Sequence, residues 1–274
     1  MTGQLPPHFA AWLALREPAD AAARAVDLVD VVRRRLAGAG PLVVHDLGAG
    51  TGSMGRWLAP LLPGPQHWIL HDRDADLLAR AAAGMPAAAG DGAPVTVGTR
   101  AGDLTRLTAA DLSDASLVTA SALLDMLTAP EIERLVAACA AAGRPALLAL
   151  SVTGRVRLTP ADPWDGRIAA AFNDHQRRTV EGRALLGPDA VPACAAAFAR
   201  HGVDVLVRPS PWRLGPQQAE LAGEWFTGWL DAACEQRPEL TGPSRAYARR
   251  RRAEIAAGRL DVRVDHLDLL AGGG

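Results

Sequence analysis

Lysine is absent from this chain of 274 residues, so all 29 of its Lys-plus-Arg side chains are arginine. Asparagine occurs once, at Asn173, and isoleucine only at positions 69, 132, 168 and 255. All three scarce residues have AT-rich codons, whereas the abundant alanine and arginine have GC-rich ones. The bias therefore points to a high-GC bacterial genome and carries no function. Cysteine is scarce too: Cys139, Cys194 and Cys234 are too far apart for a metal-ligand or disulfide framework, so a reducing cytosol and no metal are expected. Apolar runs of about 18 residues are missing, which excludes a spanning helix. Residues 1–12 lack the basic start and apolar stretch of a leader, so the expected location is cytoplasmic. An excess of positive charge is also lacking: 30 acidic residues leave a net charge of −1, which argues against a generic nucleic-acid binder. The runs Arg33–Arg35 and Arg249–Arg252 read as solvated helix faces.

What is present is a core. With 49% hydrophobic residues the chain is not disordered, and its length suits one domain with a cap. The expected division is an N-terminal helical cap over 1–40 and a main domain over 41–274, with helical insertions at about 155–200 and 216–257. Apolar residues of Asp20 to Leu36 follow the helical period, with Pro18 and Asp20 as a start signal. Short apolar runs at 42–47, 67–72, 95–103, 116–121 and 146–152 read as strands, and 53–62, 75–83 and 130–142 as helices between them. A strand at 203–209 and a closing alternating strand at 260–270 follow. This spacing predicts an α/β fold, a doubly wound, mostly parallel seven-stranded sheet with an antiparallel last strand.

The most informative stretch is Asp46-Leu47-Gly48-Ala49-Gly50-Thr51-Gly52, at a strand-to-helix junction. Glycines there let backbone approach a ligand closely, where helix N–H groups are free. Gly50-x-Gly52-x-x-Gly55, with Asp72 some twenty residues on, also satisfies the dinucleotide fingerprint. Against a nicotinamide cofactor, Asp46 stands at the strand end, where a carboxylate would repel a pyrophosphate but suits a ligand carrying an ammonium and a sulfonium.

An acid, one apolar residue and Gly-x-Gly-x-Gly together resemble the signature of class I S-adenosylmethionine-dependent methyltransferases. The resemblance spans residues 40–152. It implies a Rossmann-like methyltransferase fold with S-adenosyl-L-methionine as cofactor, held by Asp46, Gly48, Ala49, Gly50 and Gly52. Asp72 matches the acid that holds the ribose hydroxyls, and Arg73 follows where the family sets a residue against the adenine. Gly102-Asp103-Leu104 looks like the adenine-binding turn. Ser116 to Leu127, with Ser121 at the strand end, resembles the segment lining the methionine moiety. Taken alone, Asp72 and Asp103 could equally be ordinary caps.

The acceptor is less legible. Ser121-Ala122-Leu123-Leu124 stands where methylases of nucleic-acid amino groups carry Asn/Asp-Pro-Pro-aromatic, which points to a small-molecule acceptor methylated at oxygen or nitrogen. Asp125 could anchor a cationic acceptor, act as base, or cap the next helix. Phe172 to Arg178 is a polar cluster in an alanine-rich region and contains the sole asparagine. There Asn173, His175 as general base and Arg177 as an anion ligand are candidate catalytic residues, against the alternative of an exposed helix face. Trp225 and Trp229, at helical spacing, read as core or interface, and His266 as a structural histidine. Two other functions stay open: a nicotinamide-dependent oxidoreductase, and a catalytically silent cofactor-binding regulatory protein. The sequence is compatible with a monomer or a homodimer.

Overall fold

A computed structural model describes residues 9–38 and 40–272. The expectation of no leader rests on residues 1–12, of which 1–8 lie outside the described residues. The chain opens with α1 (Phe9–Ala23) and α2 (Val26–Arg35). The sheet-building half then alternates β1 (Leu42–Leu47), α3 (Ser53–Leu58), β2 (Gln66–Asp72), α4 (Ala75–Gly84), β3 (Val95–Ala101), β4 (Leu117–Ser121), α5 (Ala129–Ala142) and β5 (Ala146–Thr159). The second half adds α6 (Asp165–Gln176), a hairpin of β6 (Thr179–Val180) and β7 (Arg183–Ala184), α7 (Ala190–Arg200), β8 (Val205–Pro209) and β9 (Trp212–Leu214). It closes with α8 (Ala219–Gln236), α9 (Arg245–Ala256) and β10 (Asp261–Ala271).

The sheet follows the path β3-β2-β1-β4-β5-β10-β8, with the short β9 paired beside β10. The strands β1 to β5 pair in parallel, and β10 runs antiparallel to β5, β8 and β9. This is the expected seven-strand, doubly wound arrangement plus one extra strand. On one face Leu47, Val118 and Leu148 pack with Ile132, Val136, Cys194 and Phe198 of α5 and α7. On the other, Val44, Trp68, Leu70 and Leu147 pack with Leu28, Val32, Leu58 and Ala81 of α2, α3 and α4. A third cluster joins α6, α8 and α9 to the far ends of β5 and β10, with Trp225, Phe226, Trp229 and Tyr247 at its centre. The tryptophan stripe is therefore core.

Three expectations are corrected. Residues 20–36 are not one helix: α1 runs through Pro18 and breaks at Arg24-Ala25. There the Ala25 N–H leaves helical geometry to donate to the buried Asp268 carboxylate at 2.8 Å, a tertiary contact that overrides local periodicity. Strand β5 does not stop at residue 152 but continues to Thr159, so the segment from 155 begins as strand rather than helix. Gly154, with φ +73°, absorbs a register shift against β10, and Val156 to Thr159 then pair with Val264 to Asp261. The region from 155 to 200 also contains the β6–β7 hairpin. No helix among the described residues is long and apolar enough to cross a membrane.

Candidate functional site

Strand β1 delivers Asp46, 1% exposed, to the carboxyl end of the sheet. Its Oδ1 accepts from Thr119 Oγ1 of the neighbouring β4 at 2.8 Å, while Oδ2 is buried without a partner. Burial pushes this acid up to about 7, against the opposing pull of Thr119 and Arg24. The loop then turns through Gly48 (φ +67°) and Gly50 (φ +54°), left-handed positions that favour glycine. A Cβ at Gly48 would lie 3.1 Å from Leu123, and one at Gly50 3.2 Å from Leu13 of α1. The loop is tied to β2, since Ala49 N–H donates to His71 O and Gly50 N–H to Asp72 Oδ2, both at 2.9 Å. Asp72 Oδ1 accepts from Asp74 N–H.

Around this loop the remaining residues form a rim. Arg73 is exposed past the end of β2, and Gly102 N–H donates to Asp72 O. Asp103 caps a short turn, accepting from Thr105 N–H at 3.0 Å and Thr105 Oγ1 at 2.7 Å, bonds that hold its acid below the usual range. Leu104 sits 3.5 Å from the Cβ position of Gly48. Asp46, Gly48, Ala49, Gly50, Gly52, Asp72 and Ser121 are thus gathered at the ends of β1, β2 and β4.

The N-terminal helix supplies what sequence reasoning missed. Arg24, 2% exposed, reaches Ser53 Oγ at 3.0 Å and Ser121 Oγ at 3.1 Å, and its Nε is buried without a partner. Desolvation lowers its pKa, while Asp20, Asp46 and Asp268 oppose the shift. Next along α1, Asp20 Oδ1 accepts from Trp212 Nε1 at 2.9 Å. Arg16 pairs with Asp20 at 2.9 Å, and its guanidinium lies 4.9 Å from the Trp212 ring. Glu17 accepts from Arg56 Nε and Nη2. A signal was available: Trp12, Arg16, Asp20 and Arg24 recur every fourth residue, a polar stripe on one helical face in an alanine-rich segment.

Asp125 follows β4 on a loop entered through Ala122, a non-glycine residue at φ +51°. Desolvation pushes its acid up to about 6, opposed by its own backbone N–H and by Arg16. The loop is anchored at its far side. Thr128 and Glu131 form a capping box, and Arg183 of β7 grips both Glu131 oxygens at 2.9 and 2.7 Å and donates to Met126 O at 3.1 Å. That grip pushes Glu131 down to about 2. Asp125 is therefore not the cap of α5; Thr128 is.

The 172–178 cluster is dispersed. Asn173 Nδ2 donates to Gly154 O at 2.9 Å, and its Oδ1 is buried without a partner. His175 lies between Glu235 of α8 at 3.3 Å and Arg178 at 3.2 Å. Arg177 makes a two-point pair with Asp189 at 2.6 and 2.8 Å. Asn173 alone of the three keeps a free buried polar atom.

No family model and no curated protein sequence matches this chain. Solved structures similar to it include a methyltransferase from Geobacter sulfurreducens in complex with S-adenosyl-L-homocysteine, at 16% identity and TM-score 0.44, covering 98% of this chain and 99% of that one. Another is a methyltransferase from Thiobacillus denitrificans, also in complex with S-adenosyl-L-homocysteine, at 14% identity and TM-score 0.45 with 98% and 99% coverage. A third is the cyclopropane synthase MmaA2 from Mycobacterium tuberculosis, at 12% identity and TM-score 0.47 with 90% and 83% coverage. The strand path with a single antiparallel strand, and the acid-led glycine loop after β1, stand without them: this chain has the fold of the class I S-adenosylmethionine-dependent methyltransferases.

Proposed function

We propose that the chain is an S-adenosylmethionine-dependent methyltransferase acting on oxygen or nitrogen of a small-molecule acceptor. One observation carries the reading. A buried carboxyl and a buried guanidinium flank the glycine loop with unused polar atoms, Asp46 Oδ2 and Arg24 Nε. Buried polar atoms ordinarily find partners. A ligand bearing an ammonium and a carboxylate on one end satisfies both. Asp46 Oδ2 would accept from the ammonium, Arg24 with Ser53 and Ser121 would face the carboxylate, and Asp72 would accept from the ribose hydroxyls. Gly48, Ala49, Gly50 and Gly52 let backbone approach that ligand, and Arg73 with Gly102, Asp103 and Leu104 borders its base.

When bound, S-adenosyl-L-methionine supplies an electrophilic methyl on a sulfonium. The protein's task is to align an acceptor and keep water out. Leu13 of α1 lies directly over the loop at Gly50 and contributes to that exclusion. Asp125 precedes Met126, whose carbonyl Arg183 holds, and its raised acid is poised to take a proton from an acceptor or to bind a cationic one. Asn173, through its free Oδ1, is the second acceptor contact. His175 and Arg177 act by fixing the end of α6. The protein works in the cytosol as a monomer or homodimer. Cys139 and Cys194, buried with thiols pushed up to about 12, are inert.

The experiment is calorimetric titration with S-adenosylmethionine and S-adenosylhomocysteine. Micromolar binding, lost at least tenfold in Asp72→Ala, is expected. Absence of binding by both at sub-millimolar concentration would sink the proposal. Transfer of labelled methyl to the small-molecule fraction of a cell extract separates the enzyme from a silent binder.

A further inference from the structure

The far ends of β5, β10 and β9 form a three-stranded ribbon. One face is apolar and roofed by α6, α8 and α9: Leu158, Val262, Val264, Trp212 and Leu214 all lie in that third core cluster. Side chains alternate across a strand, so the residues between these point out of the opposite face. There Arg263 of β10 pairs in register with Arg157 of β5 on one side and with Arg213 of β9 on the other. Three guanidinium side chains therefore stand in a row across three adjacent strands, with Cβ atoms spaced about 5 Å apart.

This arrangement is costly to an isolated sheet, since like charges directly opposite each other destabilise the pairing. It is also incompletely neutralised. Arg263 pairs with Asp265 at 2.6 Å, but among the described residues neither Arg157 nor Arg213 has a carboxylate partner. Arg157 and Arg213 are exposed. The three arginines line a cavity of about 500 Å³, together with Thr159, Gln218 and Asp261. Three guanidiniums against two carboxylates, Asp261 in the lining and Asp265 on Arg263, leave the face net positive in a chain whose net charge is −1. Guanidinium forks match phosphate oxygens two at a time, and a row of three offers more than one phosphate can use.

We infer that this face is a binding site for a small polyphosphate anion, such as pyrophosphate or the polyphosphate chain of a nucleotide. The volume is that of a ligand pocket rather than of an extended track. The net charge of the chain likewise favours a compact ligand over a nucleic acid. The ribbon's other face carries Trp212, which binds Asp20 of α1. A ligand here therefore loads the back of the strands whose front supports the helix over the glycine loop. The inference is independent of the proposed methyl transfer.

The test is calorimetric titration of the full chain with inorganic pyrophosphate at physiological ionic strength. The expected result is one site per chain, bound at least tenfold more tightly than inorganic phosphate. Arg157→Ala and Arg213→Ala, both at exposed positions, should each weaken it tenfold or more, with S-adenosylhomocysteine affinity unchanged. Arg249→Ala, an exposed arginine on α9, should leave it intact. Pyrophosphate binding that is absent at millimolar concentration, or equally weakened in Arg249→Ala, overturns the inference. So does a single-stranded RNA that displaces pyrophosphate and binds more tightly, since the face would then be a nucleic-acid surface.

Discussion

Replacing Arg24 by alanine separates the two ends of the proposed cofactor site. The guanidinium touches Ser53 and Ser121 at 3.0 and 3.1 Å and leaves its buried Nε without a partner, a donor that a carboxylate would satisfy. A buried, charge-assisted contact of this kind contributes about 1.5–3 kcal/mol, so the affinity for S-adenosylhomocysteine should fall roughly 10- to 100-fold. The matched ligand is methylthioadenosine, which keeps the adenosine and sulfur but lacks the amino-acid end. Its affinity should stay within about twofold, because Arg24 offers it no contact that depends on charge. Calorimetry of both ligands on the wild type and on Arg24→Ala is the assay, with methylthioadenosine doubling as a check that the variant is folded. Arg24→Lys, which keeps the charge but not the fork, should fall between them. Equal weakening of the two ligands would mean lost packing rather than a lost ion contact. Unchanged S-adenosylhomocysteine binding would refute the assignment outright.

Asp268 accepts from Ala25 N–H, Leu150 N–H and Ser210 Oγ, so Asp268→Ala should cost roughly 3–6 kcal/mol by orphaning three donors, read as a denaturant midpoint shift. A loss below about 1 kcal/mol would show that water replaces the carboxylate. Buried His266 has its pKa pushed down to about 3 by desolvation, below its unfolded value of 6.5. Unfolding then takes up a proton, so its contribution is constant above pH 6.5 and is lost on acidification, by about 1.4 kcal/mol per pH unit, down to about pH 3. The stability difference between wild type and His266→Gln should shift by that slope in urea titrations, and a pH-independent difference would contradict the burial argument. If Asp125 is the base, kcat/KM should rise with pH through about 6, and Asp125→Asn should lower kcat at least 100-fold and remove that limb. A retained limb assigns it to another group.

The alternation of strands and helices, the glycine loop, and Asp46 and Asp72 at the strand ends were legible because each depends on neighbours a few residues away. A run such as 42–47 is apolar enough to be a strand in any context, and an acid before Gly-x-Gly-x-Gly is a local pattern. The 172–178 cluster shows the limit. Composition marks it as unusual, yet only the packing of α6 against β5 and α8 decides that Asn173 faces inward while His175 and Arg177 are consumed by Glu235 and Asp189.

From sequence alone came the class of fold, the glycine loop and the two acids that flank it, all consequences of local periodicity and backbone freedom. The tertiary structure alone decided that α1 breaks at Ala25, that Arg24 turns inward beside Asp46, that β5 outruns Gly154 and that three arginines align across β5, β10 and β9. Each joins residues tens to hundreds of positions apart: Ala25 meets Asp268 and Arg213 meets Arg263. Their energies come from desolvation and register, which exist only once the chain has closed on itself.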